Sequence, residues 1–191
     1  MRVVTRSELE ARFSDHQARI EDGAVFIHPT DTIYGLGCDA MNADAVKKIR
    51  DAKQRSQNPF SVIAPSKQWI SENCEVSPEA KKWIDEQLPG PYTLILRLKN
   101  PDCIAHNVNF GKDTLGVRIP AHWISDLVGR LGFPCVTTSA NKSGERFMTS
   151  QEDLDAEVAA HVDFFISEGG KKGRPSTLVD LTGPMPVLQR R

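Results

Sequence analysis

Ala24-Val25-Phe26-Ile27-His28-Pro29-Thr30-Asp31-Thr32-Ile33-Tyr34-Gly35-Leu36-Gly37 sets a short apolar run directly against a polar, glycine-bearing loop. The run is too short for an ordinary helix and reads as a buried strand, stopped at His28-Pro29 where proline withdraws a backbone donor. Asn42 then caps a helix whose Ala45, Val46, Ile49 and Ala52 share one face, ending near Lys53-Gln54-Arg55. Strand, polar loop and amphipathic helix in that order are the building unit of an α/β protein.

The alternation continues outward in both directions. Ser7 to Glu21 reads as a helix. After the opening unit come a strand at Phe60 to Ala64, a short helix near Lys67 to Asn73, and a helix from Ser77-Pro78 to about Leu88, with proline at its first position. Strands follow at Tyr92 to Leu98 and Thr114 to Ile119, then a helix through Trp123, Ile124, Leu127, Val128 and Leu131. A strand at Pro134 to Thr138, a capped helix over Ser150 to Ala160, and strands at Val162 to Ile166, Thr177 to Leu181 and Val187-Leu188 complete the series. Several connections are short enough for hairpins, so the expected fold is α/β with a mixed sheet and flanking helices. No internal repeat or low-complexity linker interrupts it, and residues 1–191 read as one domain.

Composition narrows the class. Of 191 residues, 39% are hydrophobic and 26% charged, a globular rather than a disordered profile. The net charge of −1 gives no global attraction to nucleic acid or anionic membrane, so phosphate binding would need a local positive cluster. Cys38, Cys74, Cys103 and Cys135 are too widely spaced for a zinc ribbon or a C-x-x-C redox site and read as small core residues. The N-terminus lacks the apolar run of a signal peptide and no stretch is apolar enough to span a bilayer, so a cytoplasmic location and no membrane are expected.

Four polar segments adjoin strands or helix ends, where α/β scaffolds present binding groups. Thr30-Asp31-Thr32 offers two hydroxyls and a carboxylate to a small polar substrate, or is a self-bonded turn. Lys53 and Arg55 could clamp an anion, or are a solvated helix terminus. Ser139-Ala140-Asn141 offers donors to phosphate oxygens, or is a cap. Gly169-Gly170-Lys171-Lys172-Gly173-Arg174-Pro175-Ser176 can form backbone nests, or is a flexible basic turn, and it is not a P-loop. The scattered histidines show no metal-ligand spacing. The residues themselves lead as far as an anion- or nucleotide-binding α/β enzyme.

In this order and spacing the segments resemble the YrdC-like threonylcarbamoyl-AMP synthase family, over nearly the whole chain from Ala24 to Arg190. The likeness is carried by Pro29 to Gly37, Lys53 with Arg55, Asn58-Pro59, Pro89-Gly90-Pro91-Tyr92-Thr93, Gly116 to Pro120, Ser139-Ala140-Asn141 and Ser176-Thr177. It departs from the family pattern at Ser56, where proline is common, in a loop one residue shorter than many members have before Asn58. It departs again at Ile63, where longer members can carry a polar contact to threonine.

The resemblance implies a twisted open sheet around a large concave positive cavity. It implies synthesis of threonylcarbamoyl-AMP and pyrophosphate from L-threonine, bicarbonate or CO2, and ATP, for threonylcarbamoyladenosine in tRNA. By the same resemblance Lys53, Arg55, Ser139 and Asn141 form the catalytic set. Thr32, Arg118 and Ser176 hold threonine, and Arg55, Asn58, Thr114, Thr137, Ser139 and Arg190 line the ATP site. Magnesium is expected with ATP, riding on the phosphates, with no dedicated metal site. Downstream tRNA threonylcarbamoyl transferase proteins are the expected partners, and weak RNA binding stays open. The alternatives are a YrdC-fold paralogue without this activity and an RNA-binding module using the basic cavity.

Overall fold

The computed structural model of the protein describes residues 1–54, 57–171 and 173–189. β1 (Arg2–Val4) leads into α1 (Arg6–Ala11), whose Thr5 cap accepts from the Glu8 N–H at 3.2 Å. The Glu8 carboxylate accepts in return from the Thr5 N–H at 2.8 Å, completing a capping box. α2 (Phe13–Glu21) starts afresh after Arg12, which leaves helical geometry at φ −123° and ψ 39°. The one helix expected from Ser7 to Glu21 is therefore two, and the break lets Leu9 and Ile20 enter the same apolar cluster.

β2 (Phe26–His28) pairs antiparallel with β3 (Gly35–Gly37), so the expected loop contains a strand. Gly-Leu-Gly scarcely reads as a strand by propensity. Here glycine is required by packing: a Cβ at Gly35 would lie 2.9 Å from the His28 ring, and one at Gly37 3.0 Å from the Phe26 ring. α3 (Ala43–Lys53) is capped by Asn42, which accepts from the Ala45 N–H at 3.0 Å. The chain continues through β4 (Ser61–Ile63), α4 (Lys67–Asn73), α5 (Pro78–Gln87) and β5 (Tyr92–Arg97). After α6 (His106–Asn109) and β6 (Thr114–Arg118) come α7 (Ile124–Leu131) and β7 (Cys135–Ser139).

The helix expected from Ser150 to Ala160 is a 3-10 turn at Gln151–Asp153 followed by the short α8 (Ala156–Ala159). Two carboxylates divide it. Asp153 accepts from the Thr149 and Ser150 N–H groups, and Asp155 from the Glu157 N–H, each within 2.9 Å. Such local bonds compete with a continuous helix. β8 (Phe164–Ile166), β9 (Thr177–Asp180) and β10 (Val187–Gln189) follow.

All the strands join one ten-stranded sheet in the order β1-β8-β2-β3-β7-β4-β6-β5-β9-β10. β1–β8, β8–β2, β4–β6 and β5–β9 are parallel and the other pairings antiparallel, which makes the sheet mixed as expected. Strand alternation sorts the core into two faces. Leu36, Val62, Leu94, Val117, Val136 and Phe165 pack with α3, while Phe26, Ile63, Cys135, Phe164 and Ile166 pack with α1, α2 and α7. The four cysteines are buried and unbonded.

Candidate functional site

The face that holds Phe26, Ile63 and Cys135 changes character within the same strands. Two residues along from Ile63 the chain presents Ser61, and from Cys135 it presents Thr137 and then Ser139. Ser61 is paired with Thr137 on one side and Gly116 on the other, and Gly35 is opposite Ser139. Gly116 is small because a Cβ there would stand 2.6 Å from the Ser61 Oγ. Apolar packing thus gives way to a row of hydroxyls facing open space.

The space is a pocket, open at its mouth, that brings together Thr32, Arg118, Thr137, Ser139 and Ser176 with Ser61 and Thr93. Arg118 is 5% exposed, and its Nη2 donates to Asp31 Oδ1 at 2.6 Å. The other oxygen of Asp31 accepts from the Ala121 N–H at 2.9 Å. Burial pushes the Arg118 pKa down and Asp31 pulls it back up. Among the described residues its Nε has no partner, while Nη1 lies 3.5 Å from Thr32 Oγ1. The loop before Thr32 is shaped by Thr30, whose hydroxyl accepts from the Thr32 N–H at 3.1 Å and donates to the Ile33 carbonyl at 2.7 Å.

Ser176 reaches the pocket from the other side, 2.8 Å from the Thr93 hydroxyl. Its loop is fastened at several points. Tyr34 OH donates to the Gly169 carbonyl at 2.7 Å and accepts from the Glu168 N–H at 3.0 Å. Gly173 lies so close to the Thr32 backbone carbonyl that any Cβ would collide with it. Burial raises the Glu168 carboxyl, but hydrogen bonds from Lys171, Trp123 and His122 outweigh it and hold the pKa down at about 2. The basic glycine turn thus acts through docking, at least up to Lys171; Lys172 lies outside the described residues.

Lys53 lies behind this wall. It is 1% exposed, and its ammonium donates to the Ser139 carbonyl at 2.6 Å and the Asn141 carbonyl at 2.5 Å. A buried lysine needs such partners, since desolvating an uncompensated charge costs several kcal/mol, on the order of 5. The arrangement unites Lys53, Ser139 and Asn141, with Lys53 drawing the turn after β7 against α3 rather than opening into the pocket. Asn141 donates to the Glu145 carbonyl at 2.7 Å, and its own Oδ1 is buried without a partner among the described residues.

Asn58 and Thr114 line an adjoining pocket with Lys112, Gly116 and Asp180, and Ser61 borders both pockets. The two adjoin at Ser61 on the same sheet face, the second with Phe60, Ile95 and Leu178 also in its lining. Arg55 and Arg190, assigned to the ATP site, lie outside the described residues. Three contributors were not singled out from sequence: Asp31 as the partner of Arg118, and the strand hydroxyls Ser61 and Thr93. Asp31 and Thr93 lie in motifs of the family likeness that attach no such role to them, and Ser61 is only a polar residue inside an apolar strand, which alone does not say what it faces.

His28 lies beneath the pocket, with Nε2 3.5 Å from the Thr137 hydroxyl and Nδ1 3.3 Å from the Pro29 carbonyl. Burial pushes its pKa down to about 3, with Arg118 adding to the effect, so the ring is neutral near pH 7. Among the described residues no group of three or more histidine, cysteine, aspartate or glutamate side chains could hold a metal ion, and no helix is long and apolar enough to cross a membrane.

Residues 18–191 match the family model Sua5/yciO/yrdC, described as Telomere recombination. A Methanocaldococcus jannaschii protein, provisionally named a threonylcarbamoyl-AMP synthase, is 38% identical over 85% of this chain and 76% of its own length. The Bacillus subtilis threonylcarbamoyl-AMP synthase is 37% identical over 91% of this chain and 51% of its own. Pyrococcus abyssi Sua5, solved in complex with L-threonine, superposes with a TM-score of 0.85 at 32% identity, over 98% of this chain and 56% of that one. The chain thus spans about half the length of the B. subtilis and P. abyssi proteins.

Proposed function

Since the chain belongs to the Sua5/yciO/yrdC family, we propose that it is an L-threonylcarbamoyladenylate synthase. It joins L-threonine, bicarbonate or CO2, and ATP into threonylcarbamoyl-AMP and releases pyrophosphate. The observation that carries this reading is the gathering of Thr32, Arg118, Thr137, Ser139 and Ser176 around one pocket from distant parts of the sequence. The names of the M. jannaschii and B. subtilis relatives support the reaction, and the threonine complex of P. abyssi Sua5 supports the substrate.

The threonine amine takes up CO2 with loss of a proton, or bicarbonate with loss of water, to form the N–C bond of a carbamate. A carbamate oxygen then attacks the α-phosphorus. The bond from that phosphorus to the bridging oxygen breaks, and pyrophosphate leaves with the electron pair. In this scheme Arg118, braced by Asp31, pairs with the threonine carboxylate, while Thr32 and Ser176 supply hydroxyl contacts. Asn58 and Thr114 in the adjoining pocket, with Arg55 and Arg190, serve the nucleotide. Ser139 and Thr137, which line the pocket of Thr32 and Arg118, are assigned to the ATP as well, reaching it across Ser61, which borders both pockets. Bringing a carbamate and a triphosphate together is a task of positioning and charge compensation.

ATP enters as its Mg2+ complex, with the ion riding on the phosphates. The product passes to downstream tRNA threonylcarbamoyl transferase proteins. Four unbonded cysteines suit a reducing cytoplasm. Pyrophosphate release tests the proposal: it is expected only when ATP, L-threonine and bicarbonate are all present. Release that ignores threonine would end the reading.

A further inference from the structure

Resting on that reading, one residue outside both pockets stands out. Arg50, on α3, is 7% exposed, and its guanidinium lies 4.1 Å from the centroids of both Phe60 and Phe110. Around its edge, Nε donates to the Asn107 carbonyl at 2.8 Å, Nη2 to the Val108 carbonyl at 3.0 Å and Nη1 to the Asn58 carbonyl at 3.1 Å. A planar cation with donors fixed in one fork suits this place between two rings, and a lysine has neither the plane nor the fork.

The three carbonyls belong to different walls. Asn58 lines the adjoining pocket from the segment after α3. Asn107 and Val108 lie in α6, which turns at Phe110 and Gly111, both in the left-handed region at φ 58° and 67°, into Lys112 and Thr114 of the opposite wall. Across the same junction the Phe60 N–H donates to the Val108 carbonyl at 2.9 Å. None of these groups touches the pocket of Thr32 and Arg118. We infer that Arg50 is a positioning residue for the nucleotide: it bolts the Asn58 wall to the wall of Lys112 and Thr114 and so fixes the width of the ATP side alone.

The test compares the wild-type chain with Arg50→Met and Arg50→Lys, titrating a non-hydrolysable ATP analogue and, separately, L-threonine, with folding checked by thermal melting. Both variants are expected to bind the analogue at least tenfold more weakly and L-threonine within twofold of wild type, with faster amide exchange at Phe60. Analogue binding within twofold in either folded variant would overturn the inference, as would L-threonine affinity falling in step. If Arg50→Met does not fold, Arg50→Lys carries the comparison. If neither folds, Arg50 holds the whole domain and the inference is lost. Binding is read without turnover, so a wild-type chain that releases no pyrophosphate would sink the synthase reading while leaving this test in force.

Discussion

The ammonium of Lys53 lies 2.6 Å from the backbone carbonyl of Ser139, a residue 86 positions away in the chain. That contact, with its companion to the Asn141 carbonyl, ties the end of α3 to the turn after β7. Lys53→Met keeps most of the side-chain volume and removes the donor. The Ser139 carbonyl keeps the Asn141 N–H as a donor at 2.9 Å, while the Asn141 carbonyl loses its lysine donor, at about 1–3 kcal/mol. The expected result is a lower melting temperature and pyrophosphate release reduced at least tenfold. A folded Lys53→Met protein of unchanged activity would remove Lys53 from the site.

Asp31 and Arg118 form an ion pair with side-chain exposures of only 11% and 6%. Removing one member of such a pair costs about 3–5 kcal/mol, because the other charge stays buried and uncompensated. Asp31→Ala is expected to lose stability on that scale in a urea titration and to raise KM for L-threonine more than KM for ATP. Equal effects on both substrates would count against Arg118 as the carboxylate partner.

Gly173 meets the Thr32 carbonyl where no side chain fits. Gly173→Ala must push the loop bearing Ser176 away, at about 1–3 kcal/mol for overpacking. Threonine affinity should fall at least fivefold. Calorimetry checks it, and unchanged affinity would mean the two loops act independently.

Folding stability should begin to fall on acidification through pH 6.5. The His28 pKa is lowered by burial from 6.5 to about 3, so the unfolded chain binds a proton that the native protein refuses throughout that window. Its contribution is present above pH 6.5 and is lost as pH falls, at up to about 1.4 kcal/mol per pH unit. His16 and His122 are also lowered, chiefly by burial, and act with the same sign. Denaturant titrations between pH 6.5 and 5 should therefore show a steeper loss for wild type than for His28→Gln. Parallel slopes would contradict a neutral buried ring.

Much of the fold could be read from the chain because its helices carry their own signals. Asn42 and Ser77 cap where they were expected to, and the strands at Phe60, Tyr92 and Thr114 are apolar runs between turn residues. β3 escaped notice because Gly35 and Gly37 are set by the His28 and Phe26 rings across the hairpin, a tertiary cause that local propensity cannot express. The break at Arg12 and the divided segment after Ser150 were missed for a related reason, since local side-chain bonds or core packing overrode periodicity. At the site, Thr32 and Ser176 stood in polar segments that could equally be plain turns, and Arg118 was legible only as part of an ordered set of motifs. Their convergence depends on strand order. Ser61 carries no motif, Thr93 only closes the Pro89 to Thr93 segment with no role attached to it, and the place of both follows from facing the uncovered end of one sheet face.

Carbon-13 bicarbonate tests the central claim most directly. Incubated with the protein, ATP and L-threonine, and followed by rapid mass spectrometry, it should yield an adenylate one mass unit heavier than the unlabelled product, together with one pyrophosphate per adduct. An adenylate of threonine without the label, or no adenylate while ATP is consumed, would contradict it.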